Sequence, residues 1–149
     1  RFVGLGGRYD QERRYESFCS FLTRMELPVP ETPIYWGPSD REASIKELTR
    51  MARSGTMPHA LICDQDQVAL EVMKVLQSEG ISIPDDVVVT GFDGILAGQM
   101  SLPRLTTVRQ PLEEMGRMAV RMLLSDTDDL EDHNVVYQPA LVIRESCGC

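Results

Sequence analysis

Short apolar runs alternate along the chain with stretches whose apolar residues recur every three or four positions. Residues 2–5, Phe-Val-Gly-Leu, read as a buried strand that ends in Gly6-Gly7. Over residues 11–25, Tyr15, Phe18, Phe21, Leu22 and Met25 share one helical face. Pro28, Pro30 and Pro33 end that helix. Ile34-Tyr35-Trp36 is a short strand. Ser39 or Asp40 is placed to cap the next helix, which turns Ile45, Leu48, Met51 and Ala52 to one side before Gly55 and Pro58 close it. Ala60-Leu61-Ile62-Cys63 is a third strand. A helix over about residues 67–79 follows, with Ala69, Val72, Met73 and Leu76 inward and Gly80 as its stop. After a turn at Pro84-Asp85-Asp86 comes Val87-Val88-Val89-Thr90-Gly91, continuous rather than alternating, as expected for a parallel strand covered on both faces. Thr106-Thr107-Val108 is another short strand, and Pro111 suits the first turn of a helix over residues 112–124. Residues 126–133 form a charged surface loop. Val135-Val136-Tyr137 and Ala140-Leu141-Val142-Ile143 finish the chain as strands.

This order predicts an α/β fold, an open parallel sheet with helices on both faces and right-handed crossovers. Ligands of such sheets bind beyond the carboxyl ends of the strands. That rule selects residues 6–14, 37–40, 64–67 and 92–95.

Composition narrows the function. A chain of 149 residues is about one domain long. Its 15 basic residues are scattered and outnumbered by 23 acidic ones, for a net charge of −8, so this segment is not built to grip nucleic acid phosphates. No apolar stretch approaches the roughly 18 residues of a membrane span, and no leader is recognisable. The chain opens on Arg1 directly into a strand, which reads as a fragment of a longer polypeptide. Of the four cysteines, Cys63 reads as a small buried hydrophobe, and none suggests a disulfide framework. Cys147-Gly148-Cys149 has no second Cys or His pair at zinc-like spacing, so no metal is expected there.

Candidate chemistry is sparse. Gly4-Leu5-Gly6-Gly7 misses the dinucleotide-binding spacing, because Tyr9 stands where a third glycine belongs. No nucleophile elbow is present, and neither His59 nor His133 has an evident partner, so no catalytic residue, no cofactor and no enzymatic activity are expected. Asp64, Asp66 and Asp93 all follow strands. They could converge on a metal such as Mg²⁺, the basis for a small doubly wound enzyme, or accept hydrogen bonds from sugar hydroxyls. For Asp66 the favoured role is a helix cap. Asp93, flanked by Gly91 and Gly94 and leading into no strong helix, is placed to meet a ligand. Arg14 either pairs with nearby acids in solvent or aims its guanidinium into the site. Trp36 either stacks on a ligand ring or packs in the core.

Five stretches carry a family resemblance in order. Ala60-Leu61-Ile62-Cys63-Asp64-Gln65-Asp66-Gln67-Val68-Ala69-Leu70 resembles a strand followed by A-N-D-x-x-A-L. Residues 80–87, Gly-Ile-Ser-Ile-Pro-Asp-Asp-Val, resemble G-x-x-x-P-x-D-V, and Val89-Thr90-Gly91-Phe92-Asp93 resembles V-x-G-F-D. Residues 103–111, ending Thr106-Thr107-Val108-Arg109-Gln110-Pro111, resemble P-x-L-T-T-V-x-Q-P. Leu141-Val142-Ile143-Arg144-Glu145-Ser146 resembles L-V-x-R-E-S. Together they are similar to the ligand-binding domain of LacI/GalR-type regulators, which has the type I periplasmic-binding-protein fold. Arg14-Tyr15-Glu16-Ser17-Phe18 matches R-x-x-G-F more loosely.

The resemblance implies an effector-sensing domain that binds a sugar or similar polar metabolite between two subdomains and controls DNA binding allosterically. Arg14 and Asp93 would contact the ligand. Gln65 falls where an Asn contact is usual, and Ser39 where an aromatic often stacks, with Trp36 as its possible replacement. It further implies a cytoplasmic homodimer, with an interface at Val68, Ala69, Leu70, Met73, Gln99 and Met100 and DNA bound only through a domain outside this chain. Residues 1–105 would belong to the C-terminal subdomain, 106–138 to a crossover whose helix belongs to the N-terminal subdomain, and 139–149 to a return strand and tail. The helix face of Met115, Met118, Ala119, Met122 and Leu123 would then lack its native cover and find another surface, such as a second copy. The same sensor feeding another output domain is the alternative.

Overall fold

A computed structural model of the chain describes residues 1–7, 9–124 and 134–149. The elements follow the sequence pattern closely. They are β1 (Phe2–Gly4), α1 (Tyr9–Arg24), β2 (Ile34–Tyr35), α2 (Arg41–Ser54), β3 (Ala60–Cys63), α3 (Asp66–Ser78), β4 (Val88–Asp93), α4 (Leu96–Met100), β5 (Thr106–Arg109), α5 (Leu112–Leu124) and β6 (Ala140–Val142). A 3₁₀ turn, Glu145–Cys147, follows β6. The sheet order is β2-β1-β3-β4-β5-β6, with β1 to β5 parallel and β6 antiparallel to β5. The expected open α/β sheet is thus present, with an antiparallel edge strand added. The order reverses between β1 and β3, which opens a crevice at their carboxyl ends.

Strand alternation distributes the side chains to two faces. Val3, Leu61, Cys63 and Val89 join Leu48 of α2 and Val68, Ala69, Val72, Met73 and Leu76 of α3 in one core. On the other face Phe2 packs against Tyr15 and Phe18 of α1, with ring centroids 5.4 and 5.7 Å away. Beside α1, the sheet face of Ile62, Thr90, Phe92 and Val108 borders a cavity of about 380 Å³.

Three expectations need correction. Val135-Val136-Tyr137 forms no strand; the antiparallel edge of the sheet is made by β6 instead. A short helix, α4, occupies the segment after Asp93, where no strong helix was expected. Asp66 does not cap α3. Gln65 holds the N-cap position without a side-chain cap bond, and Asp66 is the first helical residue. The charged stretch 126–133, with His133, lies outside the described residues.

The tail is fastened to the base of the sheet. The buried Ser146 hydroxyl donates to Val89 O at 2.6 Å and accepts from Thr106 N at 2.8 Å, so one side chain joins β4 to β5. Arg144 N donates to Thr106 Oγ1, and the Arg104 guanidinium grips the Glu145 carboxylate.

Candidate functional site

Every sequence-selected ligand residue lies along the carboxyl ends of the strands. Arg14 comes from the second turn of α1, on the face turned to the sheet. Its Nη1 donates to Asp64 O at 2.7 Å, and its Cζ lies 3.9 Å from the Phe92 ring centroid. A weaker ion pair reaches Asp10 at 3.5 Å. The guanidinium is therefore held over an aromatic ring and tied to the end of β3, and a cation over a ring contributes about 0.5–2 kcal/mol depending on desolvation. Its position is fixed before any ligand arrives.

Asp93 ends β4 with φ at 115°, outside the region non-glycine residues favour. Such backbone costs about 1–3 kcal/mol and persists only where its surroundings impose it. Here the β4–β5 ladder pairs Asp93 with Arg109. Gly94 follows, also at positive φ, and any Cβ on it would strike the Arg109 side chain at 2.6 Å. The Asp93 carboxylate accepts from Gln110 Nε2 at 2.9 Å. Gln110 was not singled out from sequence, although it stands in the quoted Val108-Arg109-Gln110-Pro111 stretch. The available signal was its place one residue past β5, beside the strand that delivers Asp93.

Asp64 and Asp66 serve the scaffold. Asp66 is completely buried. Its Oδ2 accepts from Gly94 N and Ile95 N, both at 2.8 Å, and its Oδ1 from the Thr107 hydroxyl at 2.5 Å. It therefore clamps the loop after Asp93 instead of capping its own helix, and Gly91 is needed because a Cβ there would collide with Asp66 Oδ1. Burial pushes the Asp66 carboxyl above its ordinary range, opposed by these three hydrogen bonds. Asp64 Oδ2 accepts from Leu5 N at 2.9 Å and fixes β1 against β3. Burial pushes the Asp64 carboxyl up as well, opposed by the Leu5 amide and the Arg14 charge. Its Oδ1 is buried without a hydrogen-bond partner among the described residues. The three aspartates do not gather into a metal cluster; among the described residues no group of three such side chains is placed to hold an ion.

The remaining expected residues sit apart from the Arg14–Asp93 pair. Gln65 and Trp36 border a separate groove of about 280 Å³, with Leu5, Pro38, Arg41 and Glu71. Trp36 is 3% exposed and belongs to the core; its Nε1 donates to Glu71 Oε2 at 2.7 Å, and Glu71 also pairs with Arg41 at 3.1 Å. Ser39 is exposed, its hydroxyl 3.3 Å from Asp40 Oδ2. Of the expected interface, Val68, Ala69 and Met73 are buried in the core and Leu70 is half-buried, while Gln99 and Met100 are exposed.

Comparison with known proteins places this geometry. Residues 1–147 match the family model of the periplasmic binding protein-like domain. The chain is 30% identical over 139 residues to the HTH-type transcriptional repressor PurR of Actinobacillus pleuropneumoniae serotype 3 (strain JL03), covering 91% of this chain and 41% of the repressor. It is 30% identical over 145 residues to the probable HTH-type transcriptional repressor ExuR of Bacillus subtilis (strain 168), covering 96% and 44%. A LacI family transcriptional regulator from Lactobacillus casei, solved with bound sucrose, superposes with a TM-score of 0.78 at 25% identity, over 98% of this chain and 56% of that one. The chain thus spans less than half the length of these curated relatives. Among the described residues no helix is long and apolar enough to cross a membrane. With a family match over nearly its whole length and a mostly parallel six-stranded α/β sheet, the chain belongs to the periplasmic-binding-protein-like domains, in the form carried by LacI/GalR-type regulators.

Proposed function

We propose that this chain forms one wall of the effector cleft of a cytoplasmic, dimeric LacI/GalR-type transcription regulator, and that the effector is a sugar or similar small polar metabolite. The observation that carries this reading is a pre-positioned guanidinium and a strained, half-buried carboxylate, both beyond the carboxyl ends of the central strands. Arg14 lies over Phe92 and is tied to Asp64 O, and Asp93, at φ 115°, accepts from Gln110. A fixed donor and a fixed acceptor suit hydroxyl groups, which both donate and accept. The relatives' names support the regulatory role, and the sucrose bound to the Lactobacillus casei regulator supports the ligand class.

Residues 1–105 build the C-terminal subdomain in this reading, 106–138 the crossover whose helix belongs to the opposing subdomain, and 139–149 the return strand and tail. Ligand closure of two subdomains alters DNA binding only if the closed state binds the ligand better; the DNA contacts themselves come from outside this chain. The dimer surface centres on α4 and the loop after it, where Leu96 and Met100 of the helix and Leu102 beyond it are 67%, 75% and 84% exposed, next to Gln99. Leu70 flanks it on α3, with Val68, Ala69 and Met73 packed beneath.

The test is calorimetric titration of the full-length protein with a panel of mono- and disaccharides. At least one sugar is expected to bind, and Asp93→Ala to abolish that binding while leaving the melting temperature within a few degrees of the parent. Unchanged affinity in the variant, or no binding by any sugar, overturns the reading.

A further inference from the structure

The cysteine pair at the tail has no place in the effector reading. Cys147 closes the 3₁₀ turn, and Gly148 then takes a left-handed conformation at φ 69° that turns the chain back on itself. Cys149 Sγ lies 3.6 Å from Cys147 O, and Cys147 Sγ lies 3.3 Å from Arg144 O. Two residues separated by one other cannot be more than about 7 Å apart, close to the span a disulfide allows. Cys149 is exposed and Cys147 half-buried, so both can be approached from solvent, unlike Cys63, which is sealed in the core.

We propose that Cys147 and Cys149 form a redox-active dithiol that exchanges with low-molecular-weight disulfides. The two sulfurs have different environments. Burial opposes ionisation of Cys147, but its polar surroundings, the neighbouring Cys149 thiol foremost, outweigh it and hold Cys147 below the ordinary thiol range. The same shared proton, together with burial, raises Cys149. Cys147 is accordingly the attacking thiolate and Cys149 the resolving thiol.

Deprotonated Cys147 attacks one sulfur of the external disulfide, whose other half departs with the bonding electron pair as a thiolate. Cys149 then loses its proton and attacks the Cys147 sulfur of the mixed disulfide, expelling the second thiolate. Two protein thiols are oxidised to one disulfide, and the external disulfide is reduced to two thiols, which take up the two protons. Oxidation removes the Cys147 S–H donor from Arg144 O at the foot of β5, the strand that is followed at its far end by Gln110.

The test incubates the chain with oxidised glutathione and maps its cysteines by mass spectrometry. The expected product has lost two hydrogens, with Cys147 joined to Cys149 and no glutathione retained on either. Cys149→Ser is expected to trap glutathione on Cys147, and Cys147→Ser to react at Cys149 about tenfold more slowly. A stable glutathione adduct in the unaltered chain, a disulfide between two chains, or an unreacted pair overturns the proposal.

Discussion

Helices α3 and α5 are both thirteen residues long and both carry an apolar stripe, yet they meet opposite fates. Val68, Ala69, Val72, Met73 and Leu76 of α3 are at most 3% exposed. No residue of α5 is buried, and Leu123 and Leu124 stand 84% and 78% exposed. Helical periodicity decides which side of a helix requires cover, whereas chain topology decides what covers it. Helix α3 connects two adjacent parallel strands, β3 and β4, and a right-handed crossover of that kind lays its helix on the sheet. Helix α5 lies between β5 and the antiparallel β6, and a connection between antiparallel neighbours is under no such constraint. Its stripe is therefore free to face a partner other than this sheet.

The sharpest test of the comparison begins at the first residue of α3. Asp66→Ala leaves Gly94 N, Ile95 N and the Thr107 hydroxyl without their acceptor in a dry interior. The expected loss is about 3–5 kcal/mol of unfolding free energy, read by urea denaturation. A loss under about 1 kcal/mol would show that the loop after Asp93 is not held by this carboxylate. Next in size is a matched pair of truncations. Leu76→Ala is expected to cost about 2–4 kcal/mol, and Leu123→Ala to change stability by no more than about 0.5 kcal/mol. Equal costs in the isolated chain would break the contrast between the helices.

The same contrast explains what sequence could and could not disclose. Both helices were legible from periodicity, and β4 from its continuous Val87-Val88-Val89 run, because each signal is local. Asp66 was misjudged because position before an apolar run suggests a cap, while its true partners, Gly94, Ile95 and Thr107, lie 28 to 41 residues away. The burial of Trp36 depends in the same way on Glu71, which sequence spacing does not bring near it. Arg14 and Asp93 were found as separate candidates, but the ring beneath Arg14 and the left-handed backbone of Asp93 required coordinates. Helix α4 escaped detection because five residues, Leu96 to Met100, are too few for a period to show.

Gln110 stands where the sheet gives way to α5, so it reports on the junction of the two regions. Replacing it by Leu removes the donor to Asp93 Oδ1 and keeps most of the side-chain volume. In the full-length protein the affinity for a bound sugar is expected to fall about three- to tenfold, the equivalent of one hydrogen bond of 0.5–1.5 kcal/mol. Folding of the isolated chain should be little altered. An affinity equal to the parent's would separate Gln110 from the site.

The smallest expected effect distinguishes the α3 end of the molecule from its tail by acid titration. Asp66 is pushed above its ordinary value of 3.8, first by burial. A raised carboxyl favours the folded state below the ordinary value, and that contribution is lost as pH rises through the folded value. Glu145 behaves oppositely, because its hydrogen bonds with Arg104 bring it from 4.5 to about 2. Its contribution is complete above 4.5 and disappears as pH falls toward 2. Melting temperatures of the parent, Asp66→Asn and Arg104→Gln between pH 6 and pH 2 separate the two. The parent's advantage over Arg104→Gln is expected to shrink as acid is added, while its advantage over Asp66→Asn grows. Both groups lie in one chain and each variant is compared with the same parent, so the shared effects of acid on every other carboxylate cancel in the differences. Parallel trends in the two differences would mean that the buried clamp and the exposed tail clip respond to protonation as one unit, and the electrostatic distinction between the two regions would fall.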